Sequence, residues 1–535
     1  MRVLPRTQRT GTAPELRREA AAQARVDGEQ PSDDDGSDAA SVATDAVDGG
    51  LVEEVNEEVE AAQDESAKYQ GCVWSGVPIV AAPEGRSPAS SLRSPTKEAS
   101  LPPEFVGAPD FRPAPQSHAK NIPRECKSET EFANLLLGDD GDGQSLLMMM
   151  CLYTNKAATE HPRLTRHAQY QDWKEVDASE MCLWFAITTY LGIVKVQNRK
   201  TIWRKGGVFH QPWIAARMSR HRFEAILTAL NITDHWNLPS AVDLEELNKR
   251  SPFWQIQGMI KLWNARAAKY WHMGRLMSAD EGVVPFKGRH RARCYNPQKP
   301  SKYHLKKFGL NCAKTGYCYS FYYYEGKAEA RPAHIPATTY PICKLLDQCP
   351  ELHQANRILA MDNWFTSCTT LIECRSRGVH MVGTMRASRL GLATAKGDGT
   401  FPLAGAFKEP KVKVNRAEFI CHKTQVAPHS FDHYITAWMD KKPVLVLSSY
   451  PPCEGRCLRK IREGSVWTEQ TFRRPTVFQD YNSAMGGTDL HDMRLAFIRS
   501  TVKSRRWQVS FLWRAKSASH HDRFECSRTC SPLLL

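Results

Sequence analysis

The chain has 535 residues, of which 41% are hydrophobic, and this is enough for two to four domains with apolar cores. No apolar run approaches the roughly 20 residues of a membrane span, and the longest candidate, at residues 145–153, has about half that length. The polar N-terminus shows no secretory signal. These features predict a soluble intracellular protein.

The net charge of +14 is distributed unevenly along the chain. Between Glu29 and Glu65 there are fourteen Asp and Glu and no Lys or Arg, so the remainder carries 72 − (58 − 14) = +28. Because neutralising phosphates releases counterions, such a basic body favours nucleic acid as the partner. A well-solvated basic surface is the alternative.

The sixteen cysteines are scattered without regular spacing. In a chain without an export signal, this pattern favours reduced thiols over a disulfide framework. Zinc is an alternative at Cys453 and Cys457 and at the terminal group of His520, His521, Cys526 and Cys530. Neither place has the paired spacing of a zinc finger.

Residues 1–125 are rich in Ala, Ser, Pro, Gly and acids and poor in aromatic residues, which predicts a disordered acidic tail. Residues 126–270 change to helical periodicity. One helix is predicted to start at Ser179 and a second at Ser219, a natural N-cap. A third stretch contains Trp263 and Trp271, which we interpret as core residues. A helical domain is therefore predicted here.

Residues 271–386 predict a mixed sheet flanked by helices. A strand contains Asp280, and Tyr303–Glu325 forms a hairpin that turns at residues 314–316. A short helix near 340–348 precedes the strand Ile358–Met361, which ends on Asp362. A helix over 366–376 and a strand over 379–385 follow. This is an α/β order typical of a ribonuclease-H-like core.

Residues 387–475 fit that core poorly. Strands are predicted at 419–425, 434–439 and 444–449, and the gap from the second acid to Asp489 is longer than the gap before it. We therefore predict an inserted β-containing domain. The core's final helices are predicted over 476–518, with Asp489 and Asp492 on one helix face, and a short C-terminal tail over 519–535.

Three acids, Asp280, Asp362 and Asp489, lie at the ends of predicted core segments. Strand ends at the carboxyl edge of an open sheet converge on a crevice where ligands bind. Carboxylates there suit Mg²⁺ (or Mn²⁺), which takes its remaining ligands from water and substrate phosphate. Glu281 should point to the opposite face and is left out of the site. Helix caps or surface acids are the alternative interpretation.

The residues around these acids resemble the piggyBac-type transposases of the DDE/D superfamily. The resemblance covers roughly residues 130 to 516. It rests on motifs in one order along the chain: 173–234, Asp280-Glu-Gly-Val-Val-Pro-Phe-Lys-Gly-Arg289, Asn296–Tyr303, Asp362-Asn-Trp-Phe-Thr-Ser367, Val382–Arg386, Tyr481–Asp492 and Lys503–Trp507.

The resemblance implies that Asp280, Asp362 and Asp489 are metal-binding catalytic acids and that Asp492 is a further essential acid. It also implies that the helical domain over 126–270 serves dimerisation and DNA binding, and that a homodimer binds double-stranded DNA at transposon ends. The reaction would be metal-dependent cleavage, hairpin formation and strand transfer into TTAA sites, in the nucleus. Many relatives end in a cysteine-rich zinc domain, whereas here the resemblance stops near Lys516.

Two basic groups are predicted to hold the DNA backbone. Lys287, Arg289, Lys299, Lys302 and Tyr303 lie just after the first acid. Lys503, Arg505 and Arg506 follow the third acid on a predicted helix. Solvated surface is the alternative for both groups.

Two other functions remain open at this point. One is a domesticated, transposase-derived protein that binds DNA or chromatin without catalysis. The other is a metal nuclease that cleaves DNA without strand transfer.

Overall fold

In a computed structural model of the chain, the described residues are mainly 145–386 and 417–497. Short gaps interrupt them at 195, 197, 238–243, 327–328, 441–442 and 464–465, and parts of 68–138 and a few residues at 389 and 506–511 are also described. The predicted disordered tail over 1–125 falls almost entirely outside these residues. Among the described residues, no helix has the length and apolar character required to cross a bilayer.

Ten α-helices are described within these ranges. They are α1 (Glu129–Leu137), α2 (Leu146–Glu160), α3 (Ala178–Ile193), α4 (Pro212–Arg217), α5 (Arg220–Ala229), α6 (Leu244–Arg250), α7 (Trp254–Tyr270), α8 (Tyr340–Asp347), α9 (Cys368–Ser376) and α10 (Thr476–Phe497). Short 3₁₀ turns lie at Ala168–Tyr170, Arg199–Trp203 and Pro350–Leu352.

The helical region before the sheet packs around buried aromatic side chains. Trp184 of α3 is fully buried, stacks on Phe223 of α5 and donates its indole N–H to the Phe223 carbonyl. Ser219 caps α5 as predicted, since its hydroxyl accepts the Arg222 amide at 3.1 Å. The cap of α3 is Asp177 rather than Ser179, because the Asp177 carboxylate accepts the Glu180 amide.

Fourteen strands are described. They are β1 (Ser75–Gly76), β2 (His118–Ala119), β3 (Trp271–His272), β4 (Leu276–Pro285), β5 (Arg293–Tyr295), β6 (Tyr303–Cys312), β7 (Cys318–Tyr323), β8 (Ile358–Met361), β9 (His380–Thr384), β10 (Phe419–Gln425), β11 (Asp432–Met439), β12 (Pro443–Ser448), β13 (Glu454–Glu463) and β14 (Val466–Pro475).

Ten of these strands form one mixed sheet in the order β1-β10-β11-β12-β9-β8-β4-β6-β5, with β7 paired to β6. The pairs β4–β8 and β8–β9 are parallel, and the other pairs are antiparallel. The predicted mixed sheet flanked by helices is therefore confirmed. The hairpin of β6 and β7 is also confirmed, and its turn contains Gly316 at φ +72°.

Strands β10 to β12 fall in the segment predicted as an insertion. They pair onto β9 and so continue the core sheet instead of forming a sheet of their own. The N-terminal segment also reaches this side of the sheet, since β1 pairs with β10 and Tyr69 packs edge-on against His433. The domain boundaries remain predictions.

The strands β13 and β14 form a separate antiparallel ribbon. Its ten paired positions give it a length of about 33 Å. The ribbon leads directly into α10, which packs across β4, β6, β8 and β9. The sheet, α10 and this ribbon together determine where the candidate site lies.

Candidate active site

Strand register brings the first two acids together. In the parallel pair of β4 and β8, Ser278 lies opposite Ala360, and the same register continued by two residues places Asp280 opposite Asp362. Neighbouring strands are about 4.8 Å apart, and residues two apart on a strand share a face. The two carboxylates therefore project from adjacent positions at the end of β8.

Helix α10 brings the third acid to the same face. The Ser278 hydroxyl donates to the Met485 carbonyl at 3.0 Å and lies 3.3 Å from the Thr488 hydroxyl, the residue before Asp489. A Cβ on Gly487 would lie 2.9 Å from the Ala313 Cα and 3.0 Å from both the Cys312 carbonyl oxygen and the Ser278 Cβ. The helix thus approaches the sheet as closely as a glycine allows.

Asp280 is half-buried at a position where a negative charge is unfavourable. Burial, together with the charges of Asp362, Asp489 and Glu281, raises the pKa of its carboxyl group to about 7. A hydrogen bond of 2.7 Å from the Glu281 amide partly offsets this rise in the pKa. A bound cation would stabilise the charged form of a carboxyl group whose pKa is raised by burial and by neighbouring acids.

Asp362 is held at the start of the turn after β8. Its carboxylate accepts the Trp364 amide at 3.0 Å, and its carbonyl accepts the Thr366 amide. Burial raises its pKa, whereas the hydrogen bonds from backbone amides and the charge of Arg386 lower it. Arg386 also donates to the Asn363 side chain at 3.1 Å. This carboxylate therefore has a fixed orientation.

Tyr481 of α10 lies beside the acids. Burial raises its pKa, and the carboxylates of Asp362, Asp280 and Asp489 contribute to that rise. Its hydroxyl accepts a hydrogen bond of 3.4 Å from the Thr384 side chain, at the end of β9. The charges of all three predicted acids therefore act on this one tyrosine side chain.

The acids lie at different depths. Asp280 and Asp362 are half-buried in the crevice, Asp489 is exposed, and Asp492 is half-buried on the next turn of α10. In the described part of the chain, no three His, Cys, Asp or Glu side chains are grouped closely enough to form a ready-made metal cage. The donor set nevertheless fits Mg²⁺ or Mn²⁺, because Mg²⁺ typically takes one or two protein carboxylates and completes its shell with water and phosphate.

Glu281 lies close enough to the acids for its charge to raise the pKa of both Asp280 and Asp362, so its exclusion from the site stays a prediction. Its carboxylate lies 3.3 Å from the Lys306 ammonium and 3.7 Å from that of Lys299. Lys306 in turn lies over the Trp364 ring, and Trp364 stacks on Phe308. Glu281 therefore forms ion pairs with lysines beside the acids.

The predicted basic loop extends beyond the acids. Strand β4 continues for five residues past Asp280, and in the loop that follows Lys287, Arg289 and Lys302 are exposed. Lys299 is engaged by Glu281, as described above. Tyr303 is half-buried between the Arg293 guanidinium and the Tyr295 ring. The three exposed cations remain candidates for phosphate contact.

The second basic group is only partly visible. Lys503 and Arg505 lie outside the described residues. Arg506 points inward, where its guanidinium donates to the Thr228 and Leu230 carbonyls and to Asn231. Burial lowers its pKa to about 10. The predicted phosphate contact of Arg506 does not agree with this position, because its donors already bind the end of α5.

Arg386 and Tyr481 were missed as site residues. A positional signal for Arg386 was available, because it follows β9, a parallel neighbour of β8, and so reaches the same sheet edge. Tyr481 has no such signal, since its position depends on how α10 crosses the sheet. The described cysteines, Cys453 and Cys457 among them, form no disulfide bond.

Comparison with known families and proteins agrees with this geometry. A family model described as transposase IS4 matches residues 130–520. The human PiggyBac transposable element-derived protein 3 is 24% identical over 334 residues, which cover 62% of this chain and 52% of that protein. The human PiggyBac transposable element-derived protein 2 is 22% identical over 358 residues, covering 66% of this chain and 56% of that protein. The chain thus spans about half the length of these relatives.

A solved structure shares the fold. The piggyBac transposase in a cryo-EM synaptic complex with hairpin DNA superposes with a TM-score of 0.61 and 18% identity, covering 78% of each chain. At this identity the likeness concerns the arrangement of the sheet and its helices.

Proposed function

Because this chain belongs to the IS4 transposase family and is a piggyBac-type transposase in sequence and fold, we propose that it cleaves double-stranded DNA at transposon ends and transfers the freed strand into TTAA sites. The proposal rests on the register of the parallel strands β4 and β8, which places Asp280 beside Asp362, and on the contact of this part of the sheet with α10, the helix that carries Asp489.

Asp280, Asp362 and Asp489 are the residues that would hold Mg²⁺ or Mn²⁺, with Asp492 on the adjacent turn of α10. Two such ions, when bound, activate an attacking oxygen and stabilise a leaving oxygen in phosphoryl transfer. The protein contributes position above all: strand register places two acids, and the close contact of α10 with the sheet places the third.

The basic residues give the DNA a path to this crevice. Lys287, Arg289 and Lys302 are exposed on the loop that projects beyond Asp280. Phosphate contacts of this kind set the register of a duplex without reading its sequence. These contacts therefore do not account for the TTAA preference, which we assign to the whole complex of protein and DNA. We further propose that the chain acts as a homodimer in the nucleus.

The test is a cleavage assay on a duplex with TTAA-flanked transposon ends in Mg²⁺ or Mn²⁺. The wild type is compared with Asp280→Asn, Asp362→Asn and Asp489→Asn, which remove charge with little change in shape. We expect nicks, hairpins and joined products from the wild type and none from the variants. Asp172→Asn, an exposed acid of the helical region, is the matched control and should cleave like the wild type.

Three results would lead to different conclusions. Tight DNA binding without cleavage by any protein would refute catalysis and leave a DNA-binding protein. Nicks without joined products would indicate a nuclease. Cleavage that persists in Asp280→Asn would refute the assignment of the acids. Light scattering of the DNA complex tests the homodimer, and microscopy of the tagged full chain tests the nuclear location.

A further inference from the structure

The ribbon of β13 and β14, residues 454–475, stands apart from the main sheet. Two-stranded ribbons are marginally stable alone, so one face must be supported by the rest of the molecule. Arg459 provides part of that support, since its guanidinium lies 3.4 Å from Asp440 and over the Trp438 ring. The Trp438 indole also donates to the Arg473 carbonyl at 3.1 Å.

The opposite face of the ribbon is exposed to solvent over most of its length. Register places Arg456, Leu458, Lys460 and Trp467 on that face, because they occupy alternate positions on paired strands. Trp467 is 64% exposed and Leu458 is 42% exposed. The Lys460 side chain is 67% exposed, with Glu469 at 3.9 Å. Near its base this face contacts the main sheet, since Arg473, the register partner of Arg456, lies over the Phe419 ring. Further along the ribbon, an exposed tryptophan among cations indicates an interaction surface.

The ribbon points in the same direction as the acids. Through the paired strands β8, β9, β12 and β11, Thr436 lies level with Asp362. Asp440 is four residues further along, or about 13 Å beyond the acids. Arg459 contacts Asp440, and the ribbon continues for four more residues to its tip. The tip therefore projects past the sheet edge on which the acids lie.

The basic loop after β4 projects from the same edge on the other side of the acids. Strands β11 and β4 are separated by four strand steps, or about 20 Å. The acids of β4 and β8 lie between the ribbon and that loop. A ligand that contacts both would pass over the crevice.

The charge of the ribbon favours a polyanion as this ligand. Residues 454–475 contain six Lys and Arg and three Asp and Glu, a net charge of 6 − 3 = +3. A two-stranded ribbon also has the width that the major groove of DNA admits. We propose that this ribbon is a DNA-docking element, in which Arg456 and Lys460 contact phosphates and Trp467 packs against sugars or base edges in the groove. This inference rests on the proposed function only in that DNA is the substrate.

The experiment measures binding of the full chain to a fluorescent 40-bp duplex carrying one TTAA, across a salt series. In Arg456→Gln/Lys460→Gln, the slope of log K against log salt should become shallower by about 2, with binding on the order of tenfold weaker near 0.15 M salt. Trp467→Ala should weaken binding about fivefold or more, and Trp467→Phe should retain most of the affinity.

Arg331→Gln is the control for loss of a positive charge, because this arginine is exposed and lies outside the ribbon, the basic loop and the helical domain. Wild-type affinity and salt slope in the ribbon variants would overturn the inference. A change in self-association without a change in DNA affinity would also overturn it and assign the ribbon to a protein interface. Asp280→Asn separates the two proposals, because it should lose cleavage while it keeps the affinity and salt slope of the wild type.

Discussion

Adding one methyl group at Gly487 should displace the helix that carries Asp489. The new Cβ would meet the Ala313 Cα at 2.9 Å and the Cys312 carbonyl and Ser278 Cβ at 3.0 Å. Two of these atoms belong to the backbone of the strand and turn below, so they cannot turn away as a flexible side chain would. Helix α10 must therefore move outward in Gly487→Ala.

The neighbouring glycine provides the control. A Cβ on Gly486 would have nothing within 4 Å. Both substitutions gain roughly 1 kcal/mol of helix propensity, so the difference between Gly486→Ala and Gly487→Ala isolates the steric clash. Overpacking of this kind destabilises a protein by about 1–3 kcal/mol. Gly486→Ala should unfold at a slightly higher temperature than the wild type, and Gly487→Ala several degrees below Gly486→Ala.

The effect on cleavage should exceed the effect on stability. A displacement of about 1 Å at a catalytic group can reduce the rate by about 100-fold. We expect Gly487→Ala to cleave the TTAA substrate between tenfold and 100-fold more slowly than Gly486→Ala, with equal affinity for DNA. Equal stability and equal cleavage rates in the two variants would refute the conclusion that Gly487 sets the position of the helix.

Three further predictions concern other parts of the chain. Ser219→Ala removes the cap of α5 and should cost about 1 kcal/mol, seen as a lower Tm with unchanged DNA cleavage. Burial lowers the pKa of His433 to about 4, below the value of about 6.5 in an unfolded chain. The contribution of this residue to the free energy of unfolding is therefore fully present above pH 6.5 and decreases by up to about 1.4 kcal/mol per pH unit between pH 6.5 and 4. In urea unfolding, His433→Gln should show a smaller loss of stability over that range. EDTA should abolish cleavage, and Mn²⁺ should restore it in the wild type but not in Asp280→Asn.

Much of the sheet could be predicted because its strands have a strong local pattern. Ile358–Met361 is an unbroken apolar run, as expected for a strand buried on both faces, and the acid that follows it marks the sheet edge. The hairpin of β6 and β7 has aromatic strands joined by a Gly turn. In these segments, the sequence alone determines the element and its end.

The ribbon of β13 and β14 could not be found in this way. One of its faces is exposed and the other is half-buried, so Arg456, Leu458 and Lys460 on one face alternate with Cys457, Arg459 and Ile461 on the other. Charged and apolar residues occur on both faces, and the alternation that identifies a strand is lost.

The inward turn of Arg506 was missed for a related reason. An arginine in a basic cluster gives no local sign that carbonyl groups at the end of a distant helix will bind it. Its role depends on the tertiary position of α5, which is not encoded near residue 506 in the sequence.

The three acids are held in position by different parts of the fold, and this determines which substitutions would impair the site. Asp280 and Asp362 are fixed by the register of two parallel strands, which cannot shift by one residue without turning each buried strand over. The position of Asp489 depends on how α10 packs against the sheet at Gly487, Ser278 and Thr488, where small displacements are possible. Substitutions under α10 should therefore separate DNA binding from cleavage, whereas substitutions of the buried apolar residues of β4 or β8 should damage the fold first.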